Sequence, residues 1–251
     1  MALSVWGDVA VAGAGVLAGG INTMVGSGSL ITFPTLVALG LPPLVANVTN
    51  TVGLVPGSVS GAWGYRRELA GQRGRAIRLG VFSALGGLAG GILLLSVPGS
   101  FQEVVPWLVL LAVAMVVVQP RLARWLADRG RAPEGHGGWP LRGGIFTTGI
   151  YGGYFGAAQG VLLIGLLGLG VDDDLQRLNA LKNVLAALVN GVAGVLFIVD
   201  APVRWEPALF LAAGSIAGGQ LGARVGRRLP AVVLRGVIVI GGLAVAVKLL
   251  V

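Results

Sequence analysis

Eight apolar stretches divide this chain, at roughly residues 8–39, 44–64, 76–97, 103–120, 142–170, 175–199, 206–224 and 231–250. Most are near the ~20 residues a helix needs to cross a ~30 Å hydrocarbon core. Two are too long: as straight helices, 8–39 would measure about 48 Å and 142–170 about 43 Å. Both carry glycines and polar residues near the middle. The first reads Gly19-Gly20-Ile21-Asn22-Thr23-Met24-Val25-Gly26-Ser27-Gly28-Ser29, the second Gly152-Gly153-Tyr154-Phe155-Gly156-Ala157-Ala158-Gln159-Gly160. Glycine weakens a helix interior by about 1 kcal/mol relative to alanine. Each long stretch therefore reads as two half-helices meeting at a broken tip, restarting near Ser29 and Val161; one long kinked helix is the competing reading. Irregular backbone at membrane depth survives only where protein or a water-filled cavity satisfies it.

Only 11% of residues are charged, 55% are hydrophobic and the mean hydropathy is +0.87. A soluble domain carries about 25% charged residues, and the shortfall here runs along the whole chain. The sequence is thus expected to be an integral membrane protein that spans the bilayer several times, and not a soluble domain with one anchor. The net charge of +8 comes from arginines in short loops, which reads as membrane topology and not as nucleic-acid binding. With no cysteine, disulfides and thiolate metal sites are excluded. His136 is the only histidine, no paired carboxylates sit in a plausible cleft, and no HExxH or GxxxxGK[ST] motif occurs. No enzyme, cofactor, metal or P-loop ATP hydrolysis is expected. Met1 to Asp8 contains no Lys or Arg, so no cleavable signal peptide is expected.

The chain repeats itself. A shift of 132 residues lays Gly28 on Gly160, Asn47 on Asn179, Asn50 on Lys182 and Thr51 on Asn183. Gly86-Gly87-Leu88-Ala89-Gly90-Gly91 resembles Gly214-Ser215-Ile216-Ala217-Gly218-Gly219, and such small-residue runs read as close helix contacts. Basic residues collect in loop 65–78, in the segment 121–141 and in loop 224–235, all expected to be cytoplasmic. All three fall inside if each broken stretch folds back on itself; if each crosses once, the arginines of 224–235 fall outside. The fold-back arrangement predicts an all-α polytopic membrane protein of two inverted-topology repeats. Each would hold a broken, re-entrant-like helix pair followed by three transmembrane helices. The repeats would be 1–120 and 142–251, with a cytoplasmic linker at 121–141 and both termini periplasmic.

Gly19 to Arg67 resembles the TauE/SafE sulfite-exporter family. The likeness runs through Asn22-Thr23-Met24-Val25-Gly26-Ser27-Gly28-Ser29 and Leu41-Pro42-Pro43-Leu44-Val45-Ala46-Asn47-Val48-Thr49-Asn50. Asp172-Asp173-Asp174-Leu175-Gln176-Arg177-Leu178-Asn179-Ala180-Leu181-Lys182-Asn183 looks like a common form of that family's second repeat. The resemblance covers nearly the whole chain. It implies a bacterial inner-membrane permease for small sulfur-containing anions such as sulfite or organosulfonates.

The residues themselves offer an anion site. A helix N-terminus carries unsatisfied N–H groups and about +0.5 of an elementary charge, and two such ends would meet at the tips. Asn22, Thr23, Ser27, Gly28 and Ser29 line the first tip, and Gln159 and Gly160 the second. Asn47 and Asn50, with Thr49 and Thr51, form a polar stripe in the first half; Asn179, Lys182 and Asn183, with Asn190, form one in the second. A lysine at the bilayer centre costs about 2.5–3.5 kcal/mol and is a functional candidate by default. The bland alternatives stay open: serine and glutamine satisfying freed backbone, asparagines bonding between helices, and Lys182 snorkelling toward Asp172, Asp173 and Asp174. The aspartate triplet reads as a cap for the helix starting at 175, and the remaining carboxylates lie at span edges, so a carboxylate proton relay is not expected. The expected partners are a small anionic substrate and the lipid bilayer; a homodimer, an anion channel and a non-transporting scaffold subunit stay open as alternatives.

Overall fold

The computed structural model describes residues 4–128, 138–225 and 231–250. Among the described residues lie ten helices and no strand: α1 (Val5–Met24), α2 (Ser29–Ala38), α3 (Pro43–Gly64), α4 (Arg73–Ser96), α5 (Pro98–Asp128), α6 (Trp139–Tyr154), α7 (Gln159–Gly170), α8 (Leu175–Asp200), α9 (Trp205–Val225) and α10 (Ala231–Leu250). Four of them, α1, α4, α5 and α8, are long and apolar enough to cross a membrane. The two overlong stretches are broken, at residues 25–28 and 155–158, and neither is one kinked helix. Helix α7 starts at Gln159, two residues ahead of the expected Val161. Helix α5 continues to Asp128 and α6 begins at Trp139, so helix enters the expected linker from both ends; Arg129, Arg131, Glu134 and His136 lie outside the described residues, as do Arg227 and Arg228.

The broken pairs double back. Leu166 of α7 packs over Gly144 of α6 and Leu141 over Gly170, a pairing that only antiparallel helices allow. In the first pair Gly28 lies against the backbone of Ala18, so the chain reverses there too. Packing between the halves is reciprocal. Helix α1 packs on α9 as α6 packs on α4; α3 lies against α9 as α8 lies against α4; α2 meets α10 as α7 meets α5. Helices α3 and α8 pack on each other between these layers.

Small residues make the reciprocal seams. Gly214 and Gly218 of α9 sit on the backbone carbonyls of Ala12 and Val16 in α1, and Gly86 and Gly90 of α4 sit on those of Phe146 and Ile150 in α6. The GxxAGG runs are thus close helix contacts, where dispersion replaces the missing hydrophobic drive. Hydroxyls reinforce the seams: Ser83 donates to Leu185 O at 3.0 Å, Ser60 to Ile216 O at 2.9 Å and Ser215 to Gly53 O at 3.1 Å. All six tryptophans are exposed, as expected of aromatic belts. Along α5, Trp107 and Trp125 stand eighteen residues apart, about 27 Å, close to the thickness of a hydrocarbon core.

One polar joint ties the halves at one end of the bundle. Arg75 donates to Asp173 Oδ2 at 2.8 Å and Arg177 to Asp173 Oδ1 at 2.6 Å. Arg177 also donates to Ala70 O at 3.1 Å, and Gln72 donates to Arg177 O at 3.1 Å. The segment before α4 and the segment before α8 therefore share a side. Burial pushes the Asp173 carboxyl up, but bonds from Arg75, Arg177 and the Asp174 N–H outweigh it and hold the group below its ordinary 3.8. The aspartate cap is corrected in detail: Asp174 is the N-cap residue, yet its side chain makes no capping bond, and the neighbouring Asp173 engages the two arginines instead.

Two outcomes follow. The chain has no cysteine, so single cysteines at the exposed Arg67, Gln176 and Gln102 can be labelled from either side of a vesicle. Arg67→Cys and Gln176→Cys should react from the same side and Gln102→Cys from the other; opposite sides for the first two would refute this fold. Asp173→Asn should cost about 1–2 kcal/mol at neutral pH. Because the folded carboxyl is depressed, that contribution is full above the ordinary value and is lost as pH falls through the depressed one. The wild-type and Asp173→Asn unfolding curves should therefore converge in acid.

Candidate functional site

Each break is a tight reversal built on glycine. In the first, the N–H groups of Val25 and Gly26 both return to Ile21 O, at 2.7 and 3.1 Å, and Gly26 turns the chain with φ +82°. In the second, Phe155 and Gly156 return to Tyr151 O at 2.9 and 3.1 Å, and Gly156 has φ +76°. Ala158 follows with φ 59°, the one non-glycine residue with positive φ among those described. That conformation costs an L-residue roughly 1–2 kcal/mol, and such strain persists only where surroundings over-determine it. The Tyr151 hydroxyl donates to Ala157 O at 2.6 Å. Buried Phe155 meets Phe33 of α2 edge-on, with ring centroids 5.4 Å apart.

The two breaks touch. The Gly160 N–H donates to Gly26 O at 3.1 Å. A Cβ on either glycine would strike the other's backbone, so this meeting of main chains requires glycine on both sides.

Helices that stop inside the bundle leave carbonyls to satisfy, and each half caps the other. Lys182 is 1% exposed and donates to Asn22 O at 3.3 Å and Thr23 O at 3.2 Å. Asn179 and Asn183 also donate to Thr23 O, at 3.3 and 3.1 Å. The polar stripe of α8 thus closes the C-terminal end of α1, where a cation is favoured by the helix dipole. Reciprocally, Asn47 of α3 donates to Tyr154 O at the end of α6, at 3.0 Å. Lys182 does not snorkel toward the aspartate triplet: its reach is inward, and two of its three N–H donors are engaged by α1.

The other expected residues gather around these caps. Asn50 donates to Ser29 Oγ at 3.1 Å and accepts from Thr32, fixing the first turn of α2. Asn22 and Asn190 both donate to Ser58 Oγ, at 3.3 and 3.1 Å. Thr23 bonds back to Gly19 O at 2.8 Å and Thr51 to Asn47 O at 3.0 Å, so both hydroxyls serve their own helices. Thr49 accepts from the Arg204 N–H at 3.0 Å. Sequence reading overlooks Ser58 and Thr32. Ser58 stands eight residues beyond Asn50, on the same helix side, so its signal was available.

Three buried side-chain atoms at the breaks have no protein partner: Ser27 Oγ, Asn47 Oδ1 and Gln159 Nε2. Their residues are 1%, 1% and 3% exposed. A buried polar group without a partner costs about 1–3 kcal/mol and is rare. At Asn47 the bond to Tyr154 O fixes the amide, so the orphan is an acceptor; Gln159 Nε2 is a donor, and the Ser27 hydroxyl can be either. Among the described residues no cluster of His, Cys, Asp or Glu could hold a metal ion.

The family model described as sulfite exporter TauE/SafE matches residues 11–249. The probable membrane transporter protein YfcA of Escherichia coli (strain K12) is 27% identical over 241 residues, covering 94% of this chain and 86% of the relative. The probable membrane transporter protein ORF9 of Sinorhizobium sp is 28% identical over 251 residues, covering 94% of this chain and 90% of its own length. A probable membrane transporter protein of Haemophilus influenzae is 26% identical over 242 residues, with 94% and 91% covered. No solved structure matches the chain. With a family match this long meeting a bundle whose helices are built to cross a bilayer, the chain belongs to the sulfite exporter TauE/SafE family and is a multi-pass membrane transporter.

Proposed function

We propose that this chain is a secondary permease for a small anion, held where the two helix breaks meet. The observation that carries this reading is the pair of partnerless buried groups able to donate, Ser27 Oγ just ahead of α2 and Gln159 Nε2 at the start of α7. Each of those helix N-termini carries about +0.5 of an elementary charge, so together they offset about one negative charge. Backbone N–H groups, the serine hydroxyl and the glutamine amide supply donors. The Lys182 ammonium adds positive potential beside the first break. Sulfite, organosulfonates and related sulfur anions are the substrate class we favour, on the family's description.

The two halves are read as inverted-topology repeats about an axis in the membrane plane. Support comes from the reciprocal packing of the halves and from the Arg75–Asp173 ion pair, which joins segments that fall on one side only if the second broken pair folds back. On this reading the arginine-rich end is cytoplasmic, both termini are periplasmic, and the membrane is the bacterial inner one.

The test is thermal unfolding of the purified protein with sulfite, sulfate, thiosulfate, methanesulfonate and acetate. One anion should stabilise selectively, by about 2.7 kcal/mol at a hundred times its Kd. Gln159→Leu removes a buried donor that has no protein partner, so the ligand-free protein should be at least as stable while anion affinity falls about tenfold or more. Unchanged affinity in Gln159→Leu would take the breaks out of the binding site. Lys182→Met uncaps α1 and should cost about 1–3 kcal/mol of stability, with uptake into liposomes reduced; wild-type stability in that variant would contradict the capping geometry.

A further inference from the structure

A groove of about 420 Å³ runs along the outside of the bundle between α5 and α7. Met115, Val118 and Leu122 line one wall, and Val161, Gly165 and Leu169 the other, with no polar side chain among the lining residues. On α7 the lined length, Val161 to Leu169, is about 12 Å. That is close to the depth of one leaflet's hydrocarbon, half of ~30 Å. Helix α7 begins at the break and ends at the Val171–Asp174 turn, so the groove runs from bundle mid-height to one aqueous face.

The same end of the groove carries positive charge. Arg121 adjoins the lining residue Leu122, and Arg124 stands one turn beyond Arg121; both are exposed. Arg124 donates through Nε to Pro120 O at 3.4 Å, and among the described residues neither guanidinium pairs with a carboxylate. Trp125, 48% exposed, lies beside them at the level where tryptophans mark a membrane interface. The groove therefore offers a single-leaflet apolar slot with Arg121 at the end of its α5 wall, where a lipid phosphate would sit, and Arg124 adding positive charge at the same level.

We propose that this groove is a binding site for one anionic phospholipid, an acyl chain lying between α5 and α7 and the headgroup phosphate held by Arg121, with Arg124 adding positive potential at the same membrane level. The occupant would brace α7, the helix whose first residues, Gln159 and Gly160, form the second break. This inference needs only that the chain spans a bilayer, and it stands apart from the anion reading.

The test is native mass spectrometry of the full chain after delipidation, titrated with phosphatidylglycerol or phosphatidylcholine of identical acyl chains. The wild type should retain one phosphatidylglycerol per chain, about tenfold tighter than phosphatidylcholine, as expected of two basic residues at a surface. Inorganic phosphate should not displace it. Arg121→Gln with Arg124→Gln, a surface change, should erase the headgroup preference. Gly165→Leu should lower retention of both lipids, since a side chain there meets only the end of Leu122 and fills the groove. Equal retention of the two lipids, a preference surviving in the double variant, displacement by free phosphate, or a second copy of the chain covering the α5–α7 face would each overturn the proposal.

Discussion

A helix that ends inside hydrocarbon exposes carbonyls and amides that lipid cannot satisfy, and everything distinctive in this molecule follows from how two such ends are handled. Neither half solves the problem alone. The C-terminal carbonyls of α1 are closed by α8, and that of α6 by α3. The starts of α2 and α7 are brought together by the contact between Gly26 and Gly160. The main chains meet because no side chain intervenes.

The caps are alike in plan and unequal in strength. Lys182, Asn179 and Asn183 converge on α1, whereas Asn47 alone reaches α6. The residue that pairs with Lys182 across the repeat, Asn50, turns instead to Ser29 and Thr32. With three side chains on one helix end and one on the other, the first break is held more firmly at its helix end than the second. The second break also carries the strained Ala158 and a buried amide without a protein partner.

Much of this was legible in the chain itself. Apolar run length and glycine content located the breaks, because both reflect local constraints. The small-residue seams were readable for the same reason: a Gly-x-x-x-Gly face has few uses in a membrane other than close packing. Lys182 was found by its cost, since a lysine deep in an apolar run demands a partner. What it bonds to was not readable, because that partner is a backbone carbonyl 160 residues away in the chain, and backbone acceptors leave no trace in residue identity. The aspartate triplet reads as a helix cap for a like reason: the motif is visible locally, while Arg75, which engages Asp173, is contributed by the other half. The start of α7 was misplaced by two residues because the left-handed turn sits at Ala158, a residue that rarely adopts it.

The exchange of partners between halves divides the molecule mechanically along a line that the sequence repeat does not follow. Helix α1 is seated on α9, and α6 on α4, through backbone-to-backbone seams that cannot part without opening voids along their length. Any rigid body that shifts during a transport cycle must therefore take segments from both halves with it. Either half cut from the other would lose the main packing surface of its first helix, so the two halves form an interlaced skeleton whose pivots must lie at the short turns that leave those seams intact.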